Sequence, residues 1–195
     1  MARPRQFDED VALDSAMGAF WEKGYEATSL ADLMSATGLA KASLYNSLGD
    51  KHTIFLRTLE RFMKNGRKDL EDLVVQEGTG GALLRQWLEH IVAMATCQGV
   101  RRGCFMVNSA VELAPHDKDV RALLKKHEQR IESLYVQLLE RGIKDGSLRA
   151  DLDVAQTAQW ITTVVYGTQV RGKLAISQNQ GDSTVDLLIS ALEAR

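Results

Sequence analysis

The chain has 195 residues, of which 45% are hydrophobic, and its 24 Lys and Arg residues nearly balance 26 Asp and Glu residues, for a net charge of −2. This length fits one small domain and one larger body, and any contact with nucleic acid must depend on a few cations on one face. No apolar stretch reaches the roughly 18 residues of a membrane-spanning helix, and the N-terminal MARPRQFDED lacks the apolar core of a signal peptide. With two cysteines, Cys97 and Cys104, and no disulfide framework, we expect a cytoplasmic protein that does not contact membranes.

Few prolines and few runs of alternating β-branched residues predict an all-α fold. The first predicted helix covers residues 8–23 and ends at Gly24, a typical C-cap. Its apolar residues recur with the spacing of one helical face. They are Val11, Leu13, Ala16, Phe20 and Trp21.

A helix, a glycine turn and a second helix come next. Thr28 offers its hydroxyl as N-cap of the first of these helices, and Gly38 ends it, since glycine adopts positive φ without penalty. The second covers residues 41–48, with Leu44 and Leu48 inward and otherwise small, polar or hydroxyl-bearing residues and no carboxylate. Such a surface can approach phosphates without repulsion, so the segment predicts a helix-turn-helix whose second helix enters the DNA major groove.

Residues 7–62 resemble the DNA-binding domain of the TetR/AcrR family of transcriptional regulators. The residues that carry the resemblance are Ala16, Phe20, Gly24, Tyr25, Thr28, Ser29, Asp32, Gly38, Lys41, Ser43, Leu44, Tyr45, Gly49, Lys51 and Phe55. The chain departs from the family pattern at Leu48, where an aromatic residue is usual, and at Asn46 and Ser47, where His or Tyr is frequent. Leu48 still fills the inward pocket, and the bases read do not follow from relatives with bulkier residues there.

The resemblance implies a regulator that binds a palindromic, double-stranded DNA operator. Residues expected to contact phosphates are Thr28, Tyr45 and Lys51, those expected to read base edges are Lys41, Ser43 and Asn46, and Ser29, Ala42 and Ser47 complete the candidate DNA-binding set. Arg3 and Arg5 form either an arm along the duplex or a solvated tail.

We place a DNA-binding domain at residues 1–50 and a ligand-binding and dimerisation domain at residues 51–195. Helices are predicted in the second domain at residues 51–64, 69–76, 82–97, 104–113, 117–144, 153–176 and 183–192. The stretch RGCFMVNSAVELAPHD, residues 102–117, also resembles a pattern found in one group of TetR/AcrR regulators. The resemblance implies helices that enclose a ligand pocket and a last pair that forms a four-helix bundle with a second copy.

Small residues in the penultimate predicted helix permit the close approach of another helix. They are Gly167, Thr168, Val170 and Ala175. The alternative is packing within the chain. Because a palindromic operator is bound by two recognition helices related by two-fold symmetry, we expect a homodimer.

The ligand pocket should be mostly apolar, with a few convergent polar groups. Candidate residues in the middle helices are Trp87, His90, Met94, Phe105, Asn108, Trp160 and Tyr166. The same residues at helical spacing can instead form ordinary core. We expect a small apolar or amphipathic effector and no cofactor.

Cys97 and Cys104 flank a loop that contains Arg101 and Arg102, and nearby cations lower the pKa of a thiol and raise its reactivity. An oxidant- or electrophile-sensing regulator is therefore an alternative, as is burial of both cysteines as small apolar residues. The histidines show no metal-ligand spacing, so no metal site is expected.

The sequence contains no GxSxG motif, P-loop or glycine-rich dinucleotide turn, so an enzyme is not expected. A helical interaction module without DNA binding is a second alternative. The favoured interpretation is a cytoplasmic, homodimeric repressor that a small ligand releases from its operator.

Overall fold

A computed structural model describes residues 8–97 and 102–194, and their regular structure is helical apart from an isolated β-bridge between Leu148 and Glu193. The helices are α1 (Glu9–Lys23), α2 (Leu30–Thr37), α3 (Lys41–Leu48), α4 (Lys51–Val74), α5 (Gly80–Thr96), α6 (Phe105–Glu112), α7 (Lys118–Asp145), α8 (Val154–Gly172) and α9 (Gln178–Leu192). The all-α prediction is confirmed. No helix within these ranges combines the length and apolar character needed to cross a bilayer.

Capping residues explain where several helices begin and end. The side chains of Ser29, Asp50 and Asp117 accept hydrogen bonds from first-turn amides of α2, α4 and α7. Gly38 and Gly146 end α2 and α7 in the left-handed conformation, at φ of 68° and 78°. The sequence therefore specifies these boundaries locally.

The predicted N-cap of α2 was wrong by one residue. Thr28 is fully buried, and its hydroxyl donates to the carbonyl oxygen of Gly24 at 2.6 Å. Ser29 caps α2 instead, in a capping box with Asp32. The buried Thr28 side chain therefore cannot contact a DNA phosphate, which corrects that prediction.

Two predictions in the second domain also differ from the structure. Residues 51–74 form one helix rather than two, because Leu70 and Leu73 continue the buried side of α4 beyond the exposed Gly66. The last helix begins at Gln178, earlier than the expected residue 183, because Ser177 and Gln180 form a capping box.

The helices pack around two apolar clusters that share α4. The first, here called the reader core, joins α1–α3, the first half of α4 and parts of α6 and α7. The second, the body core, joins the end of α4 to α5, α7, α8 and α9. We call α1–α3 with the first half of α4 the reader, and the remaining helices the body.

Candidate DNA-binding surface and regulatory body

One side of helix α3 packs into the protein, and the opposite side is exposed to solvent. Leu44 and Leu48 are almost completely buried in the reader core. The exposed residues of α3 are Lys41, Ala42, Ser43, Tyr45 and Asn46, while Ser47 is half-buried. The structure thus brings most of the candidate DNA-binding residues onto one accessible helical surface.

The N-terminal end of α3 lacks a side-chain cap. Its N-cap is Ala40, which offers no hydrogen-bonding group, and the first turn contains no acidic residue. The leading amides of a helix attract anions, because they are left without intrahelical partners and carry the positive end of the helix dipole. This end of α3 is therefore suited to a phosphate group.

Lys51 has an internal role beside its predicted contact with DNA. Its Nζ donates to the carbonyl oxygen of Glu26 at 3.3 Å and lies 4.4 Å from the centroid of the Tyr25 ring. The side chain therefore braces the turn between α1 and α2 while it remains partly exposed.

Acidic residues near the reader surface are paired with cations. Arg61 contacts Asp10 at 2.7 Å and Asp14 at 2.6 Å, and Arg57 pairs with Glu9. These pairs hold the start of α1 against α4 and offset negative charge that would repel DNA. Arg3 and Arg5, the predicted arm, lie outside the described residues.

The negative charge of Asp32 is likewise balanced by a neighbouring cation, Lys23. The Asp32 carboxylate lies 2.5 Å from Lys23 Nζ. Hydrogen bonds from Lys23 and then Ser29 hold the pKa of the Asp32 carboxyl far below its usual range.

Among the described residues, four hydrogen bonds that the sequence did not reveal join the reader to the body. Trp21 Nε1 donates to the carbonyl oxygen of Gly103 at 2.9 Å. Glu112 accepts hydrogen bonds from the turn between α1 and α2, and His52 Nε2 lies 2.7 Å from Asp117 Oδ2. The partners are 82, 87, 86 and 65 positions apart in the chain, so no local pattern could have identified them.

Asp117 takes part in several interactions at this junction. Burial opposes its ionisation, but hydrogen bonds from the Val120 amide and from His52 outweigh that effect and lower its pKa. Potential metal-ligand atoms of His52, Asp117 and Asp119 all lie within 4.8 Å of one another. Sequence spacing gave no sign of this grouping, which the hydrogen bond and the cap of α7 already explain.

Three of the seven predicted pocket residues are buried or half-buried and place polar groups in contacts within the body. Trp87 is buried and its Nε1 donates to the Tyr135 hydroxyl at 3.1 Å, while burial raises the pKa of Tyr135 to about 12. Burial, followed by the charge and hydrogen bond of Glu128, raises the pKa of the half-buried Tyr166. Asn108 Nδ2 donates to a backbone carbonyl at 2.7 Å, and its Oδ1 accepts from a lysine at 2.9 Å.

The remaining four candidates lie at the surface or in the reader core and do not point into the body core, which corrects that part of the prediction. His90, Met94 and Trp160 are exposed, the last two by 59% and 43%. Phe105 is buried, but it packs in the reader core against Phe55 at a ring distance of 5.7 Å. Their helical spacing was correct, but it did not show which neighbour each side faces.

The body contains a small void and an open groove. The void, between α5, α8 and α9, measures about 10 Å³ and is lined mainly by apolar side chains, among them Leu88, Val92 and Val185. The groove, between α4 and α7, measures about 320 Å³ and is lined by Glu71, Val74, Val75, Arg130, Ser133, Leu134 and Gln137. Neither space is lined by any of the seven predicted pocket residues.

Comparison with known proteins identifies the architecture. Residues 12–58 match the model for bacterial regulatory proteins of the tetR family, and residues 80–187 match the model for the tetracyclin repressor-like C-terminal domain. The chain belongs to the TetR family. It is therefore a DNA-binding transcriptional regulator and not an enzyme.

Relatives align over nearly the whole length of this TetR-family chain. The transcriptional repressor ComR of Escherichia coli is 32% identical, over 95% of this chain and 86% of ComR. A solved cysteine mutant of the TetR family regulator CifR, complexed with 26-bp double-strand operator DNA, is 31% identical with a TM-score of 0.85, over 97% of this chain and 99% of that chain. E. coli NemR in its reduced form shares the fold at 19% identity, with a TM-score of 0.86 over 95% of this chain and 97% of that chain.

The two cysteines of this TetR-family regulator lie in different surroundings. Cys97 is exposed, whereas burial raises the pKa of the Cys104 thiol and so opposes formation of the reactive thiolate. Arg101 lies outside the described residues, and the Arg102 guanidinium lies 6.0 Å from the centroid of the Trp21 ring. The local chemistry does not favour an activated Cys104.

Proposed function

We propose that this chain is a repressor that binds a palindromic operator as a homodimer and leaves it when a small apolar or amphipathic effector binds the body. The exposed, carboxylate-free surface of α3 carries this proposal. Two relatives support it, because ComR is a transcriptional repressor and CifR was solved in complex with operator DNA. The DNA-binding domain at residues 1–50 and the ligand-binding and dimerisation domain at residues 51–195 then communicate through α4, which packs in both cores.

In this proposal the exposed positions of α3, together with Lys51 at the start of α4, divide into two roles. Lys41, Ser43 and Asn46 read base edges in the major groove, because their side chains carry suitable donors and acceptors. Tyr45 and Lys51 contact phosphates and set the register of the reader on the duplex.

Selection of binding sites from random duplex DNA tests this function. The full chain should recover a two-fold symmetric sequence. Lys51→Ala should then weaken binding to every sequence alike and reduce the salt slope by about one. Thermal unfolding of the variant controls for loss of the contact between Lys51 and Glu26. Recovery of no preferred sequence by the unmodified chain would contradict the proposal.

The exposed side of α8 and α9 is the proposed dimer interface. Trp160 and Val170 on α8 and Leu187 on α9 are exposed by 43%, 47% and 75%. A Cβ added at Gly167, on the same helix, meets no atom within 4 Å. Large apolar side chains beside an open glycine suit coverage by the same surface of a second copy.

The proposed effector site lies near the buried pair of Trp87 and Tyr135, with Tyr166 as a further polar group. Polar groups of this kind orient a ligand within an otherwise apolar site. The buried Trp87 side chain lines neither the void nor the groove, so a ligand that contacts it requires a more open body. The effector then favours a population whose recognition helices are wrongly spaced for the operator.

A thermal-shift screen of small apolar and amphipathic compounds tests the effector site. A compound present at a hundredfold excess over its Kd should stabilise the fold by about 2.7 kcal/mol. Trp87→Ala should reduce that gain and leave operator affinity nearly unchanged. A hit whose stabilisation is unaffected by Trp87→Ala would place the effector elsewhere, for which the groove between α4 and α7 is the alternative.

A thiol-sensing regulator is the second candidate, favoured by the exposure of Cys97. In that case Cys97→Ser should abolish release of the operator by a mild electrophile, whereas Cys104→Ser should have less effect because the raised pKa of the half-buried Cys104 thiol opposes formation of the thiolate. Gel-shift assays with and without the electrophile decide between the two candidates. Unchanged release by the double variant would exclude the thiols as the sensor.

A further inference from the structure

Glu112, the last residue of α6, holds the turn between α1 and α2. Its Oε2 accepts a hydrogen bond from the backbone N–H of Tyr25 at 3.0 Å, and its Oε1 accepts one from the N–H of Glu26 at 2.9 Å. Hydrogen bonds to an ionised carboxylate are roughly twice as strong as neutral ones. The body therefore holds the reader backbone at two successive peptide groups, which fixes direction as well as distance.

Gly24 makes this approach possible. Its φ is +84°, and a Cβ at this position would lie 2.9 Å from Glu112 Oε2. A side chain would be strained and would also displace the carboxylate. On the other side of the turn, Lys51 contacts the carbonyl oxygen of Glu26. The turn is therefore clamped between α4 of the reader and α6 of the body.

Two more hydrogen bonds attach the same stretch of the body to the reader. Gly103, before α6, accepts from Trp21 on α1, and Asp117, after α6, contacts His52 at the start of α4. Glu112 lies between these contacts along the chain. Because hydrogen bonds weaken steeply when misaligned, a rotation of α6 against the reader must break them.

We propose that Glu112 is a positioning residue for DNA recognition. It sets the angle at which the body presents the reader, and hence the separation of the two recognition helices in a dimer. This inference rests on the proposed palindromic operator. Tyr25 is half-buried and Glu26 is exposed, so water can replace the carboxylate at both amides, and the reader can fold without it.

The test compares Glu112→Ala with the unmodified chain on two duplexes derived from the selected operator. One duplex carries the full palindrome and the other keeps a single half-site. Both readers must fit at once on the palindrome, whereas a half-site tests one reader. Loss of positioning should lower palindrome affinity about tenfold, since the effective concentration of the second reader falls, and change half-site affinity by less than about twofold.

Two variants complete the design. Glu112→Gln keeps one acceptor oxygen, so its palindrome affinity should fall between the other two, and it carries the comparison if the alanine variant does not fold. Glu140→Ala removes an exposed carboxylate from α7 and should leave both affinities unchanged. Backbone amide proton shifts of Tyr25 and Glu26 should move upfield in both Glu112 variants, which reports loss of the charged acceptor directly.

An equal fall in affinity on both duplexes would show that Glu112 supports the fold of the reader and does not orient it. Unchanged palindrome affinity would show that the contact has no role in recognition. Either result overturns the inference. If the unmodified chain selects no palindrome, the proposed function is overturned and this inference with it, so the two failures are distinguishable.

Discussion

Gly167→Ala separates the stability of the protomer from the stability of the proposed dimer. The glycine is exposed on α8, and an added Cβ meets no atom of the protomer within 4 Å. Glycine in a helix interior is less favourable than alanine by roughly 0.5–1 kcal/mol, so the substitution should stabilise the isolated fold. Where two copies of α8 meet at Gly167, the same methyl groups push the helices apart. Opposite effects on folding and association are therefore expected.

Gly167→Glu enlarges the effect on association. An unpaired buried polar group costs on the order of 1–3 kcal/mol, and a two-fold interface contains two copies. The dimer should weaken by about 4 kcal/mol, which is roughly a thousandfold in Kd. The protomer has open space at this position, so its fold should persist.

Sedimentation equilibrium over a range of concentrations measures the dimer Kd, and thermal unfolding measures the fold. Gly66→Ala is the matched control, because Gly66 is an exposed glycine inside α4 that also has no atom within 4 Å of an added Cβ. It should raise Tm by about 2 °C and leave association unchanged. An unchanged dimer Kd for Gly167→Glu would refute an interface on this side of α8.

Other perturbations test the reader and the core. Asn46→Ala should change the sequence recovered by site selection and not merely lower every affinity, because base contacts specify and phosphate contacts position. Tyr135→Phe should lower the free energy of unfolding in urea by roughly 1–3 kcal/mol, because Trp87 Nε1 loses its buried acceptor. Burial and then Arg67 lower the pKa of His127 to about 4, below an unfolded value of about 6.5. The unfolded chain therefore binds the extra proton, and stability should fall as pH drops from about 6.5 towards 4, by about 2 kcal/mol near pH 5. Urea titrations at about pH 6.5 and about pH 5 measure this loss as a difference in the free energy of unfolding. His127→Gln should remove most of the difference.

The reader could be predicted closely because its signals are local. Apolar spacing and glycine turns placed α3 at its observed boundaries. The error at Thr28 arose because Thr28 and Ser29 both carry a hydroxyl that can cap a helix. Only the packed structure shows that Thr28 is buried and bonded to Gly24.

The body was predicted less well because its details depend on contacts between distant segments. The sequence analysis predicted a break between residues 64 and 69, but packing of Leu70 and Leu73 in the body core outweighs the low helix propensity of Gly66. Helical spacing placed Trp160 on a definite side of α8, but spacing does not distinguish a side that faces an internal pocket from one left for a partner. Residue types alone could not settle that choice.

The reader is joined to the body by α4 and by contacts that α6 and its flanking residues make with α1 and α4. Helix α4 is a continuous helix of 24 residues that contributes to both cores. A single helical connection still permits rotation about its own axis. Glu112 lies on a different helix and holds the turn between α1 and α2. Together with the contacts of Gly103 and Asp117, it supplies attachment outside α4, and in the proposed role it resists this rotation. Its effect on operator binding should therefore exceed its effect on the stability of either core.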